Sequence, residues 1–274
     1  MPDMRIEVVL PNESAAMSPD TLIELARRAD ELGFTAAWLP DHLLPPESFG
    51  ATFGGVYDPL VTIGYLAAVT ERIQFGTSVL IAPLRNPFAV AKQAATAHAL
   101  SGGRFILGVG VGWNEEEFRS VGGEYRQRGA ITDDMLALWR HLFSGVGGPY
   151  SARRFSYEHG VFAPIPASAV PIMVGGNSEA ALRRARKYAD IWQGIPTSPQ
   201  DFARKVRMLA DHSPHRPVTA AVRFGWPEQA SASDVAEICE TYSDAGAERI
   251  AVHPGRLETA EQRLMDLARA LRLD

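Results

Sequence analysis

Short segments rich in β-branched residues alternate with helical patterns along the whole chain, and this alternation leaves few folds open. Predicted helices begin at Ser18-Pro19, Asp58-Pro59 and Asn86-Pro87, where a capping side chain precedes a proline at the first helical position. The predicted strands are 5–10, 35–39, 73–79, 104–109, 171–174, 190–193, 218–224 and 249–253. Eight strand–helix units in a chain of this length predict an α/β fold, a single (β/α)8 TIM barrel domain over residues 1–274. A doubly wound sheet rarely needs eight such units.

The composition of the chain is that of an ordinary globular protein. Its 274 residues are 46% hydrophobic and 22% charged, and a chain of this size can bury a core without disulfides or metals. The net charge of −5 argues against a nucleic-acid partner, which usually requires a basic patch. Cys239 is the one cysteine, so a disulfide framework and a cysteine-rich metal site are excluded, and no other metal-ligand pattern is present.

The chain shows no targeting or membrane pattern. Its first residues lack the basic and apolar regions of a signal peptide. No apolar run approaches the ~20 residues that a membrane-spanning helix needs. We therefore expect a cytoplasmic protein without a membrane partner.

In barrel enzymes, the functional residues lie where the strands end at their carboxyl side. Two long irregular stretches, 43–57 and 144–169, are expected on that rim, and the second is predicted to hold a short hairpin around residues 154–157. Polar and aromatic residues at the strand ends are candidates for the substrate pocket: Asn12, Trp113, Trp192 and His253.

Glycines cluster at the ends of the fourth and fifth predicted strands. The run Gly175-Gly176-Asn177-Ser178 leads directly into a helix, where free backbone N–H groups favour a phosphate. A plain turn capped by Asn177 or Ser178 is an equally compatible interpretation. Residues 108–112 contain three glycines, but the third glycine of a dinucleotide fingerprint would fall at Trp113. Gly110 and Gly112 are instead interpreted as thinning the barrel wall, so that a flat ligand can lie against it.

His42 follows Asp41 at the end of the second predicted strand. On the rim of a barrel, this histidine could donate a proton or a hydrogen bond to a ring; alternatively, it could satisfy loop carbonyls. Its position favours the functional interpretation. The acidic run 115–117 is predicted to be a solvated first helical turn that matches the helix dipole, and not a catalytic carboxylate cluster.

Several short motifs are distributed from about residue 5 to residue 192. They are Glu31-Leu32-Gly33-Phe34 with Trp38 and Asp41-His42, Thr70-Glu71-Arg72-Ile73 with Gly76-Thr77-Ser78-Val79, Arg85-Asn86-Pro87 with Ala91-Lys92-Gln93, Leu100-Ser101-Gly102-Gly103-Arg104 with residues 108–113, Arg128-Gly129, and Gly175-Gly176-Asn177-Ser178 with Ala181-Leu182-Arg183-Arg184. In combination they resemble the luciferase-like monooxygenase superfamily, and within it the branch that uses the deazaflavin coenzyme F420. Residues 197–274 add little to the resemblance beyond completing the barrel.

The resemblance implies a barrel that binds a flavin or deazaflavin at its C-terminal mouth. It implies a non-proline cis peptide between Ser78 and Val79, which would press the backbone against one face of the ring and leave the other face open. It also places a phosphate at the glycine turn, and it places His42 near the ring as the catalytic residue. Together with the glycines interpreted above, the resemblance gives a predicted set of coenzyme-binding residues: Asp41, Ser78, Val79, Gly110, Gly112, Gly175, Gly176, Asn177 and Ser178.

One position departs from the family's pattern. In the F420-dependent sugar-phosphate dehydrogenases a glutamate follows the strand-four glycines and serves as a proton donor, whereas this chain has Trp113 there. The departure argues against a sugar phosphate and for an apolar pocket lined by Trp113, Trp38 or Trp192. The acid is left open among three residues: His42, Glu13 and His253.

The resemblance therefore predicts an F420-dependent oxidoreductase that moves a hydride between the deazaflavin and a small organic substrate. It also predicts a homodimer. An FMN-dependent monooxygenase that uses reduced flavin and oxygen is the alternative, because the two cofactors share their ring shape and proximal phosphate. A non-catalytic flavin- or deazaflavin-binding protein is a third possibility, since the strand-four glutamate is missing.

Overall fold

The computed structural model describes residues 4–210 and 217–273 of the chain. Residues 1–3, which belong to the segment without a signal-peptide pattern, lie outside the described residues. Asp211, where the helix beginning at Pro199 is predicted to end, lies outside them as well.

The large sheet is built from parallel strands, as the alternating pattern predicts. Its strands are β1 (Arg5–Val9), β2 (Ala36–Leu39), β3 (Gln74–Thr77), β4 (Leu80–Ile81), β5 (Phe105–Gly110), β8 (Ile172–Gly175), β9 (Ile191–Gly194), β10 (Thr219–Gly225) and β11 (Arg249–His253). Among the described residues they follow the order β3-β2-β1-β11-β10-β9-β8-β5-β4, and a pairing of β3 with β5 closes the sheet into a barrel. The two-residue strand β4 resumes β3 after an interruption at residues 78 and 79, so eight strands form the wall.

Helices connect successive strands around the outside of the barrel. The longer ones are α1 (Pro19–Glu31), α3 (Pro59–Ala67), α4 (Pro87–Leu100), α6 (Arg128–Phe143), α7 (Glu179–Tyr188), α8 (Pro199–Ala210), α9 (Ala232–Asp244) and α10 (Leu257–Leu271). The predicted helix starts are confirmed, since the side chains of Ser18, Asp58 and Asn86 each accept a hydrogen bond from the first turn that follows. The (β/α)8 barrel predicted from the alternation is therefore the observed fold.

Side chains alternate along the strands between the barrel interior and the helix layer. The interior cluster consists of Val9, Ala36, Trp38, Ile106, Met173, Ile191, Ala221 and Ala251. Trp38 fills much of this space because the facing residue is Gly76, where a Cβ atom would lie 2.4 Å from the indole ring. Its Nε1 donates to the buried carboxylate of Glu7 at 2.6 Å, and Arg249 donates to the same carboxylate. Trp38 is thus part of the barrel interior and not of a ligand pocket, which corrects one of the expectations above.

The irregular stretches on the rim contain short elements. The predicted hairpin is confirmed as β6 (Tyr150–Ser151) paired with β7 (Ser156–Tyr157). The stretch 43–57 contains a 3-10 turn at Glu47–Phe49 followed by the one-turn helix α2 (Gly50–Phe53), and α5 (Glu115–Ser120) follows β5. Within 4–210 and 217–273, no helix combines the length and the apolar character that crossing a membrane requires.

Candidate active site

The strand ends enclose a cavity of about 510 Å³ at the C-terminal mouth of the barrel. Its lining comes from the residues that follow β2, β3, β5, β8 and β9, together with Arg223 of β10 and Phe53 of α2. The lining is mostly apolar, with Val79, Ile81, Val111 and Ile195 among its members. This cavity, called the mouth cavity below, brings together most of the residues that the sequence assigned to the coenzyme.

Val79 forms a platform in the mouth cavity. The peptide bond between Ser78 and Val79 is cis, as the family resemblance implies. Cβ atoms placed on Gly110 and Gly175 would lie 2.4 and 2.7 Å from the Val79 side chain. These two glycines therefore make room for Val79, and they line the mouth cavity beside it. The interpretation that the glycines thin the wall so that a flat ligand can lie against it stays a prediction.

Gly112 plays a comparable packing role. Its φ of +75° suits glycine, and a Cβ atom there would lie 2.6 Å from the ring of Phe118. It lines the mouth cavity, and a side chain at this position would collide with Phe118 and Ile81.

An ion-pair chain holds the segment that follows Val79. The carboxylate of Asp41 accepts from the backbone N–H of Ile81 at 2.8 Å and from Arg85 at 2.5 Å. Arg85 also donates to Asp58 at 2.6 Å, and Asp58 caps helix α3. Although burial alone would lower it, the two carboxylates raise the pKa of Arg85, so the guanidinium stays charged. Asp41 lines the mouth cavity, but each of its oxygens already accepts a hydrogen bond, so it acts here as an anchor for the segment that follows Val79.

His42 lies against a buried glutamate that the sequence did not single out. Its Nδ1 is 2.9 Å from Oε2 of Glu117, whose side chain is only 1% exposed. The other oxygen of Glu117 accepts from the backbone N–H groups of Leu43 and Leu44, at 2.8 and 3.1 Å. A carboxylate with these partners is an acceptor, so Nδ1 carries the hydrogen and Nε2 is the free acceptor of the neutral ring.

The buried position of Glu117 corrects the prediction of a solvated acidic turn. Glu115 and Glu116 are exposed, as predicted, while Glu117 is turned inward on the same first turn of α5. Asn114 fixes that turn, because its side chain accepts from the N–H of Glu117 at 2.9 Å. The acidic run thus combines a solvated part with one carboxylate that orients His42.

Aromatic rings surround His42 at the entrance of the mouth cavity. Phe53 stacks on the imidazole with 4.4 Å between ring centroids, and Trp113 meets it edge-on at 6.2 Å. Phe49 packs against Trp113 at 4.9 Å. Trp113 is 51% exposed and lines the cavity, as predicted for the substrate pocket. The aromatic entrance, defined by these four rings, joins α2 to the segment after β5.

The glycine turn, residues 175–178, leads into α7 and offers free backbone N–H groups, but these are not the N–H groups of its glycines. Gly175 and Gly176 line the mouth cavity, yet the N–H of Gly176 donates to the carbonyl of Gln193 at 3.0 Å. The side chain of Asn177 is bound to the backbone of Ile195, and that of Ser178 caps α7. Among the described residues, the N–H groups of 177–180 have no acceptor. The turn is therefore capped, and it also retains donors at a helix N-terminus that suit an anion, while the phosphate site itself stays a prediction.

Three polar side chains that contact one another lie at the edge of the mouth cavity. Arg223 donates through Nη1 to the carbonyl and the hydroxyl of Ser78, and the hydroxyl donates to Oε1 of Gln193 at 2.6 Å. Burial lowers the pKa of Arg223 from its usual value, and the charge of Glu13 opposes that effect. Sequence reasoning placed only Ser78 in the site. Arg223 lies within β10 and Gln193 within β9, strands that carry no family motif, and only closure of the barrel brings both residues to Ser78.

A second cavity, of about 740 Å³ and with a mixed polar and apolar lining, lies on the other side of α2. Its lining includes Ala51 and Thr52, and it also includes Glu13 and His253, whose side chains meet at 2.5 Å. The N–H of Gly255 donates to Nδ1 of His253, so Nε2 carries the hydrogen shared with Glu13. Of the three candidate acids, His42 lines the mouth cavity, whereas Glu13 and His253 line this second one.

Two predicted pocket residues lie elsewhere. Trp192 is fully buried on the outer side of β9, where it stacks on Phe202 and donates to the carbonyl of Gly176. The strand alternation explains this, because the next residue, Gln193, faces the mouth cavity. Asn12 is also fully buried and lines neither cavity, while both neighbouring residues line the second one. The structure therefore places neither Trp192 nor Asn12 on the wall of either cavity.

Among the described residues, no group of three or more His, Cys, Asp or Glu side chains is placed to hold a metal ion. Besides Asp41 and His42, the polar side chains of the mouth cavity are those of Ser78, Gln193 and Arg223. The amide and the guanidinium carry donors that suit an organic ligand with acceptor oxygens.

The chain is similar to known proteins over nearly its whole length. A sequence model of the family described as luciferase-like monooxygenase matches residues 4–272. An uncharacterized protein of Mycobacterium tuberculosis is 30% identical over 197 residues, which cover 67% of this chain and 68% of that protein. An F420-dependent glucose-6-phosphate dehydrogenase of Nakamurella multipartita is 32% identical over 175 residues, covering 63% of this chain and 51% of that enzyme. The matched region is thus about half the length of the enzyme.

A solved structure shares the fold. It is that of an F420-dependent secondary alcohol dehydrogenase in complex with an F420-acetone adduct, with a TM-score of 0.83, 16% identity, and 98% of this chain and 99% of that chain covered. At this identity the likeness supports the fold alone. The match of the family model to residues 4–272 decides the assignment: the chain belongs to the luciferase-like monooxygenase family.

Proposed function

We propose that this protein is an F420-dependent oxidoreductase that transfers a hydride between the deazaflavin and a small organic substrate. The observation that carries the proposal is the mouth cavity, where the Val79 platform lies beside a histidine oriented by a buried carboxylate. The choice of F420 is supported by relatives that are named as F420-dependent dehydrogenases. The homodimer and the cytoplasmic location are both predictions from the sequence.

The residues of the mouth cavity fit a flat coenzyme with acceptor oxygens and a phosphate. Val79 offers an apolar surface to one face of a ring. Nε2 of Gln193 is buried and has no partner within the described residues, so a ring carbonyl would satisfy it. The free N–H groups of 177–180 suit a phosphate. These local groups matter because a net charge of −5 provides no general attraction for an anion.

His42 is the proposed acid–base residue. When bound, the coenzyme would supply or accept the hydride. As a substrate alcohol loses its C–H hydride, Nε2 of His42 would take the hydroxyl proton, and in the reverse direction it would return that proton. Glu117 keeps the imidazole in the required tautomer and stabilises the charge that forms on it.

The aromatic entrance supports an apolar substrate. Phe49, Phe53 and Trp113 surround the approach to His42, and these rings offer apolar area rather than donors for a phosphate. We therefore propose a small organic alcohol or carbonyl compound and not a sugar phosphate.

The experiment is an anaerobic assay that follows the absorbance of oxidised F420 with a panel of small secondary alcohols, and of reduced F420 with the matching ketones. We expect turnover with an apolar member of the panel and its loss in His42→Ala, with coenzyme binding retained. Oxygen uptake with reduced FMN, without any reaction of F420, would contradict the proposal and favour the FMN-dependent monooxygenase. Binding of F420 without turnover across the panel would favour a non-catalytic binding protein.

A further inference from the structure

Ser78 forms hydrogen bonds with two side chains, and each of them keeps an N–H donor that has no acceptor among the described residues. Its hydroxyl accepts from Nη1 of Arg223 at 3.2 Å, and its carbonyl accepts from the same nitrogen. Because the hydroxyl accepts from a cation, its own hydrogen is free to donate to Oε1 of Gln193, 2.6 Å away. This direction of the hydrogen bonds fixes the orientation of the Gln193 amide.

Because Ser78 binds the amide oxygen of Gln193, it provides no hydrogen-bond acceptor for the amide nitrogen. Gln193 is only 4% exposed and lines the mouth cavity, and its Nε2 has no hydrogen-bond partner among the residues described. A buried amide donor of this kind costs free energy unless a ligand or water accepts from it.

Arg223 also keeps donors free. It lines the same cavity, and within 4–210 and 217–273 no carboxylate forms an ion pair with it and only Ser78 accepts from its guanidinium. Glu13, the carboxylate whose charge acts on it, is paired with His253. A positive charge thus borders the cavity without a partner that neutralises it directly.

We propose that Arg223 and Gln193 together bind an acceptor oxygen of the pyrimidinedione edge of the coenzyme ring, and that the charge of Arg223 favours the reduced coenzyme over the oxidised one. This inference rests on the proposed function for the identity of the ring. Flavins and deazaflavins share that edge, so the two donors suit either cofactor.

The preference for the reduced form follows from charge balance. A hydride carries one proton and two electrons, so the ring that accepts it gains one negative charge. The substrate loses the C–H bond, and its hydroxyl proton passes to His42. A fixed cation beside the ring edge stabilises the more negative form, whereas the neutral amide of Gln193 acts on both forms alike.

The test compares dissociation constants of oxidised and reduced F420, measured anaerobically by equilibrium ultrafiltration. Arg223→Met is expected to weaken binding of the reduced form by about 100-fold and of the oxidised form by about tenfold, the range for a lost hydrogen bond from a charged group. Gln193→Leu is expected to weaken both forms by the same factor, about fivefold. Arg223→Lys, which keeps the charge, is expected to preserve the ratio between the two forms.

Arg183→Met is the matched control, because Arg183 is an exposed arginine on the outer surface of α7. Circular dichroism of every variant reports folding, and Arg223→Lys with Gln193→Leu keeps the test decisive if Arg223→Met does not fold. An equal loss for both redox forms in Arg223→Met, or a changed ratio in Gln193→Leu, would overturn the inference. If the wild type binds FMN and not F420, the proposed function fails, and the same ratios measured with oxidised and reduced FMN still decide the inference.

Discussion

Glu117 belongs to an acidic run that looks like an ordinary helix start, yet its carboxylate is buried and binds His42 and two backbone N–H groups. Three consecutive glutamates are indistinguishable by composition. Only the fold decides which of them faces the barrel, and the partner at His42 lies 75 residues away in the chain. The local signal that could have pointed to it is Asn114, a cap that sets the direction of the third residue after it.

Glu117→Gln is expected to lower kcat by about 10- to 100-fold, part of the roughly 10²- to 10⁴-fold that a positioned acid–base group contributes. The amide nitrogen would face either Nδ1–H of His42 or the N–H groups of Leu43 and Leu44, so one set of hydrogen bonds is lost. Steady-state kinetics over a range of pH measures this, since a changed histidine environment alters the pH profile while a merely weakened fold does not. Glu116→Gln, at the exposed neighbour, is the control, and equal kinetics in both variants would refute a positioning role for Glu117.

At the scale of elements, the helix starts and the hairpin of β6 and β7 could be predicted, whereas the short elements within 43–57 could not. Ser18, Asp58 and Asn86 cap their helices because the capping interaction involves only the next three residues. The stretch 43–57 is different, since its short helix α2 is held by Phe53 stacking on His42 and by Phe49 packing on Trp113. Those contacts join distant parts of the chain, and no local periodicity of the sequence predicts them.

The turn that precedes α7 gives an element-level prediction. Gly176→Asp is expected to weaken F420 binding by about 10- to 100-fold, because a carboxylate would stand beside the N–H groups that suit the phosphate. The φ of +115° at Gly176 adds strain for any side chain. Gly102→Asp is the matched control, since Gly102 also has a positive φ but lies in the turn between α4 and the start of β5 and does not line the mouth cavity. Fluorescence titration with F420 measures both variants, and unchanged affinity in Gly176→Asp would mean that the phosphate binds elsewhere.

At the scale of the whole molecule, the alternation of strands and helices predicted the barrel because each strand–helix unit carries its own periodicity. The alternation of side chains between the two faces of a single strand was harder to use for predicting which residues face the cavity. Without the register it is not evident that Gln193 faces the mouth cavity and Trp192 the helices. Likewise, Arg223 and Ser78 are 145 residues apart, and only closure of the sheet brings them together. The residues that sequence reasoning missed are those whose partners come from across the barrel.

Cys239 reports on the integrity of this closed core. It is fully buried, and burial raises the pKa of its thiol to about 12, with a smaller contribution from Glu240. The thiol therefore stays protonated and inaccessible at mildly alkaline pH, and we expect no reaction with a disulfide reagent until urea unfolds the barrel. Labelling of the thiol, measured in parallel with the circular dichroism signal at each urea concentration, checks this. Rapid labelling at full ellipticity would show that the region around α9 opens independently of the rest.

We propose that the mouth cavity binds the deazaflavin, and competitive titration of a single preparation with F420 and FMN is the sharpest test of that claim. The Val79 platform, the free donors and the names of the relatives all enter that claim. We expect saturable binding of F420 at micromolar concentration, with FMN binding at least about tenfold more weakly, a difference of roughly 1.4 kcal/mol. Preferential binding of FMN, or no binding of F420 in this range, would contradict it.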